Sequence, residues 1–502
     1  MSPIPIKVCL LLVVCSLALP AQGASDAGDD KSKAGDATPG KDTSPSAAAR
    51  AAFDKGDFEE AVKLALPLAE KGDVDAIFLL GVAHESGKGA ELSAKKAEEY
   101  YRKGLAKNHS DSAYRLAVIL MATKDEVKLK EAQAILEKQA LNDPGNVGRI
   151  LGEAFLAGRF TGKSDPDKAV LWWKKSADAG DVDSMLLLAN FYDGQMGFAE
   201  KKDPALTLRY LEKAAAGGNT GAMVALGSRL LYGEKSGRDE ARGRAILDKA
   251  IAAKDYSAYF VLGTWQETVK EDSKAALVEF ERGKDAGQAD CMIRVAEYHI
   301  EGKGTKKDVE RGVSILEAAA EADNFQAHLM LAAMTFQSEN PDIALGYKHL
   351  VAAANGGLAA AQNELGLFYL AGRLGVTDVS AAVSWFARAA EANYAAAQNN
   401  LAALHESGTG VPQSYENAAQ LYVLAAQQGN ASATLALARF QAAGAAMEMN
   451  LPRAWALAKL AGVRGESNAA EFITALEKGF TKEQLAEAKK EFERMTSGEA
   501  PE

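Results

Sequence analysis

One short stretch of sequence recurs along this chain at nearly constant intervals. It reads AEKGDVDAIFLLG at 69–81, ADAGDVDSMLLLA at 177–189 and AAQQGNASATLALA at 425–438. In each copy a turn residue, here called the corner residue, separates two amphipathic runs. The corner residues lie 33–38 residues apart, most often 36, and are Gly72, Asn108, Asp143, Gly180, Gly218, Lys254, Gly287, Asp323, Gly357, Asn393, Gly429 and Gly465. Such a period is typical of stacked helix pairs, and a linear array suits 502 residues better than a single core does.

Small side chains lie at three constant distances from the corner residue. Ala, Gly or Thr lies eleven residues before it, and Ala, Ser or Cys lies four residues after it, except at Val147. Ala or Gly lies nine residues after it until Thr474 ends the series. Large residues lie eight and seven before the corner, as in Tyr100-Tyr101, Trp172-Trp173 and Trp385-Phe386. Small residues let helix axes approach closely, so we expect these large side chains to fill the space beside them.

Local signals mark both ends of the helices. At the corner, a glycine can adopt the left-handed conformation and end one helix, and the Asp or Asn that often follows can cap the next helix. The acidic pairs Asp73/Asp75 and Asp181/Asp183 are interpreted as such helix starts. At the other end of the pair, Asp165-Pro166, Asp203-Pro204 and Asn340-Pro341 are expected to place a cap residue before a proline at the first helical position.

The clearest copy, NYAAAQNNLAALHESGTGVPQSYENAAQLYVLAAQQGN, occupies residues 393–430. It has a ladder of small residues, a Gly-x-Gly-Val loop at Gly408, Gly410 and Val411, and an aromatic-containing second helix. In these features the chain resembles the Sel-one-like repeat family, a relative of the tetratricopeptide repeat, over about residues 50–470. The resemblance implies an all-α, right-handed superhelical solenoid of about eleven antiparallel helix pairs. It also implies a curved surface that binds other proteins.

The segment predicted as the solenoid is 47–470, and residues 471–502 are predicted to form a C-terminal helical cap and tail. The end repeat of a solenoid needs a polar cover. Thr481 followed by Gln484 has the pattern of a capping box. A charged amphipathic run follows, so we expect a C-terminal capping helix.

The N-terminal residues resemble a secretory signal. Residues 1–23 combine a lysine, an apolar core of about a dozen residues and a small-x-small site, which predicts a cleaved signal peptide. Lipidation at Cys15 is the alternative, although Val14 is larger than the residue usual before a lipidated cysteine. Residues 24–46 contain no aromatic residue, Leu, Ile or Val, and are predicted to be a flexible linker.

Charge and hydropathy limit the kinds of partner. The formal net charge is −11, which opposes binding to nucleic acid and to anionic membranes. After the signal, the sequence has no stretch of about 20 apolar residues, so we expect no membrane span. Cys291 is the only cysteine outside the signal, which excludes an internal disulfide in the mature chain.

Several residues deserve a chemical interpretation. His84, His299 and His405 lie twelve residues after their corners, several repeats apart, and are interpreted as structural rather than metal-binding. The Gly-x-Gly stretches, which begin at Gly87, Gly302 and Gly408, follow helices rather than strands and are interpreted as helix-ending turns, not phosphate loops. Cys291 takes the place of a small buried residue and is interpreted as a packed thiol. We therefore expect no catalytic, cofactor-binding or metal-ligating residue.

These observations favour an exported, noncatalytic adaptor or scaffold that binds one or more proteins through its solenoid surface. We expect a periplasmic or extracellular location in a bacterial cell envelope, with a role in exopolysaccharide secretion or envelope signalling. One alternative is a eukaryotic endoplasmic-reticulum quality-control adaptor, although the C-terminal sequence GEAPE is not a retention signal. Another is a β-lactam-binding or β-lactam-hydrolysing repeat protein, although the repeated cysteine pairs of such relatives are missing.

Overall fold

The structure, a computed structural model, describes residues 44–233 and 238–497. In these two ranges the secondary structure is entirely helical, with one 3-10 turn at Ala199–Lys201 and no strand. The α-helices are α1 (Ala47–Asp54), α2 (Phe58–Glu70), α3 (Val74–Ser86), α4 (Ala94–Leu105), α5 (Ser110–Met121), α6 (Glu126–Gln139), α7 (Asn146–Leu156), α8 (Pro166–Asp178), α9 (Val182–Tyr192), α10 (Pro204–Ala216), α11 (Thr220–Tyr232), α12 (Glu240–Ala252), α13 (Ser257–Thr268), α14 (Ser273–Asp285), α15 (Ala289–Glu301), α16 (Val309–Glu321), α17 (Phe325–Gln337), α18 (Ile343–Asn355), α19 (Ala359–Leu370), α20 (Val379–Glu391), α21 (Ala395–Ser407), α22 (Tyr415–Gln427), α23 (Ala431–Ala443), α24 (Leu451–Val463), α25 (Ala469–Glu477) and α26 (Lys482–Ser497).

The helices pack in consecutive pairs, from α3 with α4 to α23 with α24. We call the first helix of each pair the A helix and the second the B helix. Eleven such pairs occur in the described ranges, between the leading helices α1 and α2 and the final helices α25 and α26. The predicted all-α solenoid is therefore confirmed, whereas its right-handed sense stays a prediction. The chain divides into two compact units, and Ala258 is the last residue of the first.

The corner residues have the expected backbone conformation. Eleven of the twelve have a positive φ, between 58° at Asp323 and 99° at Gly465. Asp143 is the exception. Pro144 follows it, and a residue before proline is steered into extended conformations. The corner between α6 and α7 is therefore built differently from the others.

Side-chain caps begin most of the helices. Asp73 accepts a hydrogen bond from the amide of Ala76 and Asp181 from that of Ser184, both at 2.8 Å. Asp75, in the first turn of α3, instead lies 3.0 Å from the guanidinium of Arg50.

The caps before proline agree with the sequence at two of the three positions. Asp165 and Asp203 cap α8 and α10, each directly before the proline that begins the helix. The prediction for Asn340-Pro341 is wrong, because α18 begins two residues later and is capped by Asp342. The carboxylate of Asp342 accepts from the amide of Leu345 at 2.9 Å. Asp342 competes with Asn340 for the capping position. Because Asp342 is the residue that caps α18, Pro341 lies before the helix.

The small sites nine residues after a corner are buried, and at most of them the size of the small residue matches the side chain that faces it. In four pairs a glycine nine residues after a corner faces an aromatic ring seven residues before the next, and an added Cβ would lie 2.3–2.7 Å from that ring: Gly81 with Tyr101, Gly152 with Trp173, Gly263 with Phe280 and Gly366 with Phe386. Two pairs depart from this rule, because Gly227 faces Leu247 and Ala402 shares a core cluster with Tyr422. Alanine at the same site shares a core cluster with leucine in four pairs: Ala117 with Leu136, Ala189 with Leu211, Ala296 with Leu316 and Ala332 with Leu350. The predicted filling of small sites by large residues is confirmed for this position, and Thr474 is exposed as the series ends.

The neighbouring large position behaves differently. Tyr100, Trp172 and Trp385, eight residues before a corner, are half-buried rather than enclosed. These three rings pack against the edges of core clusters, whereas Tyr210 at the same position is buried, so the expectation that this position fills small sites is confirmed only in part. Adjacent residues of a helix point about 100° apart, so the two large residues cannot both face the A helix fully. Each ring instead lies under the cation three residues later, with Lys175 4.0 Å from the Trp172 ring centre.

The C-terminal helix covers the last pair. α26 packs against α24, and its Ala488 is fully buried. The predicted capping box is confirmed, because Thr481 Oγ1 accepts from the Gln484 amide at 3.2 Å and Gln484 Oε1 accepts from the Thr481 amide at 3.0 Å. The limits 47–470 and 471–502 stay predictions.

The predicted signal peptide 1–23, with Cys15, and residues 24–43 of the predicted linker lie outside the described residues. So do the last five residues of the predicted tail. In the part of the chain that is described, no helix is both long enough and apolar enough to cross a membrane.

Candidate protein-interaction surface

The A helices of the second unit present one side that the packing between pairs leaves uncovered. Residues three, seven and ten after a corner share a helix side. On α19, α21 and α23 they are Ala360, Glu364, Leu367, Ala396, Asn400, Ala403, Ser432, Ala436 and Arg439, here called the A-helix face. All nine are exposed or half-buried, whereas residues four and eight after the same corners are buried. Each of these helices is therefore divided into a packed side and an accessible side.

The A-helix face combines apolar, amide and charged groups. Leu367 is a large apolar side chain with 40% of its surface exposed. Asn400 donates to Oδ1 of the buried Asn363 at 2.9 Å, which joins α21 to α19. The carbonyl oxygen and second N–H of the Asn400 amide are still available to a ligand. Glu364 and Arg439 supply one charge of each sign, so the face offers the mixture of contacts usual between proteins.

Ion pairs join successive A helices elsewhere in the array. In the second unit, both carboxylate oxygens of Glu267 on α13 contact Arg294 on α15, at 2.6 and 2.7 Å. Lys303 also donates to this carboxylate. Burial raises the pKa of Glu267, but the hydrogen bonds from Lys303 and Arg294 outweigh it and hold the pKa below its ordinary value. Glu267 therefore stays ionised and holds two successive pairs together.

The first unit has similar links. Glu85 lies 3.5 Å from Arg115 of the next A helix, and Asp193 is paired with Arg229. Glu85 also accepts a hydrogen bond from the hydroxyl of Tyr101 at 2.5 Å. Our sequence reasoning missed these acids. All lie thirteen residues after a corner, as Glu267 does, and that shared position is the signal that identifies them.

The three aligned histidines close the turn between the A and B helices. The main-chain carbonyl of each accepts from the residue that caps the following B helix, at 2.7–2.9 Å. His84 Nδ1 lies 2.8 Å from the carbonyl oxygen of Glu91, and its ring stacks on Tyr100. His299 is buried, and burial lowers its pKa. Because each of these main-chain bonds lies within one helix pair, each histidine serves its own repeat.

The Gly-x-Gly stretches end helices, as predicted. The first glycine of each has a φ of 69–75° and terminates its A helix, at 87–89, 302–304 and 408–410. A Cβ added to Gly304 would lie 2.4 Å from the carbonyl oxygen of Ser273, which begins the preceding B helix. The second glycine is thus required for the close approach of the loop to that helix.

Cys291 is fully enclosed between helices. Its side chain has no exposed surface, and burial raises the pKa of the thiol to about 12. A Cβ added to Gly283 would lie 2.3 Å from its sulfur atom. The interpretation as a packed thiol is confirmed. Among residues 44–233 and 238–497, no group of three or more His, Cys, Asp or Glu side chains is arranged to hold a metal ion.

Comparison with known families agrees with this architecture. The Sel1 repeat matches seven segments, together about half of the 502 residues: 74–109, 149–181, 182–219, 220–255, 289–324, 359–394 and 395–430. The chain belongs to the Sel1 repeat family. The resemblance stated for residues 393–430 is thereby confirmed.

Individual relatives are distant. The chain is 24% identical over 277 residues to the Chitin synthase regulator SKT5 of Saccharomyces cerevisiae, which covers 52% of this chain and 39% of that protein. The chain thus spans about two fifths of the length of this curated relative. Among solved structures, a protective antigen present in uropathogenic Escherichia coli strains and displaying an SLR fold matches with a TM-score of 0.46 and 22% identity, over 88% of this chain and 98% of that one. A Sel1 repeat protein from Oxalobacter formigenes matches with a TM-score of 0.36 and 22% identity, over 68% and 89%.

Proposed function

We propose that this protein is an exported, noncatalytic scaffold that binds partner proteins through the A-helix face. The observation that carries the proposal is the division of α19, α21 and α23 into a packed side and an accessible side. The accessible side contains Leu367, the Asn400 amide and charges of both signs. Solenoids of stacked repeats commonly use such extended surfaces for binding.

The proposed setting is a bacterial cell envelope, in exopolysaccharide secretion or envelope signalling. The signal-like residues 1–23 support export. The yeast relative is named as the regulator of a polysaccharide-synthesising enzyme, which supports a role beside such an enzyme rather than a catalytic one.

Site-specific crosslinking tests the binding surface. A photo-reactive amino acid is placed at Leu367 or Ala403 of the full chain, which is expressed in its own host. The matched control is Leu424 on the B helix α22, which is 43% exposed. We expect Leu367 and Ala403 to give the same one or two protein adducts and Leu424 to give none of them. Equal adducts from Leu424, or adducts with glycans alone, would contradict the proposed surface.

Export is tested separately by the mass of the purified chain and its N-terminal residue. Cleavage after Gly23 is expected to leave Ala24 as the first residue. A diacylglycerol adduct on Cys15 would replace this with a lipid anchor. Recovery of the chain with residues 1–23 intact from the cytoplasm would contradict export.

A further inference from the structure

Glu406 is a half-buried carboxylate at the edge of the A-helix face. It lies on α21 three residues after Ala403, and residues three apart are neighbours on a helix surface. The hydroxyl of Tyr422, on the following B helix α22, donates to Glu406 Oε2 at 2.7 Å. Burial and this hydrogen bond raise the pKa of Tyr422, so its hydroxyl stays protonated. The tyrosine therefore fixes one oxygen of the carboxylate and leaves Oε1 to other donors.

The first unit contains the same arrangement with a second partner present. Glu85, like Glu406, lies thirteen residues after a corner. Tyr101, like Tyr422, lies seven residues before the next corner. Tyr101 donates to Glu85 Oε2, and Arg115 on the next A helix lies 3.5 Å from Glu85 Oε1. In this copy the tyrosine holds one oxygen, and a guanidinium neutralises the carboxylate from the other side.

The position that supplies the cation is an alanine beside Glu406. Arg115 lies seven residues after a corner, and so does Arg294, which pairs with Glu267. The same position on α23, the A helix that follows α21, is Ala436. Ala436 is half-buried and belongs to the A-helix face. A methyl group has no donor, so the next helix does not supply the cation that the other two copies have.

No other side chain replaces the missing arginine in the part of the chain that the structure describes. Within 44–233 and 238–497, no Lys, Arg or His forms an ion pair with Glu406. Arg439 lies three residues after Ala436, and its charge lowers the pKa of Tyr422. Arg439 forms no hydrogen bond with Tyr422 or with Glu406. A partner that brings a cation to Glu406 therefore gains an ion pair on binding.

We infer that Glu406 accepts an arginine or lysine side chain of the protein that binds the A-helix face. The inference rests on the proposed function, because it names the chemistry of the partner at one edge of that face. The incoming cation takes the place that Arg115 has in the first unit, beside the small side chain of Ala436. Guanidinium and ammonium groups both donate to a carboxylate oxygen. The partner is therefore basic where it contacts the end of α21.

A double-mutant cycle in the full chain tests the geometry without a partner. Ala436→Arg supplies the cation from α23, and Ala436→Gln is the control, a long side chain without charge. Both are measured by thermal unfolding, followed by circular dichroism, with Glu406 and with Glu406→Gln. We expect Ala436→Arg to melt about 1–2 °C above Ala436→Gln only when Glu406 is present. The same difference in both backgrounds would overturn the assignment.

Binding to the partner tests the inference itself. The protein recovered in the adduct of the Leu367 crosslinker is purified and used as the probe in a titration of the full chain. Glu406→Gln is expected to weaken binding by about two- to fivefold, as for an accessible ion pair, and to make binding less dependent on salt. Ala436→Arg should also weaken binding, because its guanidinium occupies the carboxylate. The control is Glu391→Gln, at an exposed acid on the B helix α20, which should bind as the wild type does.

The outcomes separate this inference from the proposed binding surface. Equal affinity of the wild type and Glu406→Gln would overturn the inference and leave the surface in place. Equal weakening by Glu406→Gln and Glu391→Gln would indicate a general effect of net charge and would also overturn the inference. The absence of any protein adduct from Leu367 would remove the surface and the inference with it.

Discussion

Gly152 allows a quantitative test of the size matching between small sites and facing rings. A Cβ added to Gly152 would lie 2.3 Å from Nε1 of Trp173. This indole is fully buried and donates to the carbonyl oxygen of Arg149 at 3.3 Å. Ordinary contact would require a displacement of about 1 Å. The rigid ring has no free space for that displacement, so the strain passes to the helices around it.

The expected magnitude follows from two opposing effects. Alanine in a helix interior is favoured over glycine by about 1 kcal/mol, whereas overpacking a core costs about 1–3 kcal/mol. Because Trp173 is completely enclosed, we take the upper end of that range. Gly152→Ala should then lower the free energy of unfolding by about 2 kcal/mol. Gly221→Ala is the control, at an exposed site of the same unit where the nearest atom to the added Cβ is 3.4 Å away.

The other repeats indicate which second substitution should offset the overpacking caused by Gly152→Ala. Trp173→Leu alone should cost about 2–4 kcal/mol because it leaves a cavity. Alanine facing leucine is, however, the combination found in four other pairs of this chain. The double variant Gly152→Ala, Trp173→Leu should therefore be more stable than the sum of the single effects by at least about 1 kcal/mol.

Urea denaturation, followed by far-UV circular dichroism, measures all four variants. The reasoning is refuted if Gly152→Ala is as stable as Gly221→Ala. It is also refuted if the effects of Gly152→Ala and Trp173→Leu simply add.

Three further predictions concern backbone strain, proton linkage and overpacking. Lys254 has a φ of 68°, so Lys254→Gly should raise the free energy of unfolding by about 0.5–1 kcal/mol in urea denaturation, and a loss of stability would contradict this. Burial, followed by repulsion from Arg311, lowers the pKa of His299. The unfolded chain therefore binds that proton more readily, and the stability contributed by neutral His299 is lost as the pH falls below about 6.5. His299→Gln should flatten this dependence of unfolding free energy on pH, and an unchanged slope would contradict the assignment. Ala397→Trp should unfold part of the array by filling a site with no exposed surface, while His405→Ala should cost no more than about 1 kcal/mol, and the opposite order of melting temperatures would contradict the alignment of the repeats.

Individual residues show which features of the fold could be predicted from the sequence. The left-handed conformation was predicted for the glycine corners and is found at all of them. Four of the five other corners share it, and Asp143, which precedes a proline, does not. The cap at Asn340 was misplaced by two residues because Asp342 is an equally good capping residue. The acids that join successive A helices were missed. Glu85 and Glu267 act through partners on other helices, which no local pattern names.

The sequence by itself determined the helix ends, the repeat length and the buried sites. These depend on glycine, aspartate and proline acting within a few residues, and on a spacing that is repeated many times. Only the tertiary structure decided which side chains meet. Glu267 reaches Arg294, 27 residues away, and His328 reaches His349, 21 residues away. Such contacts depend on the rotation of each helix about its axis and on the distance between axes, which the packing of whole side chains sets.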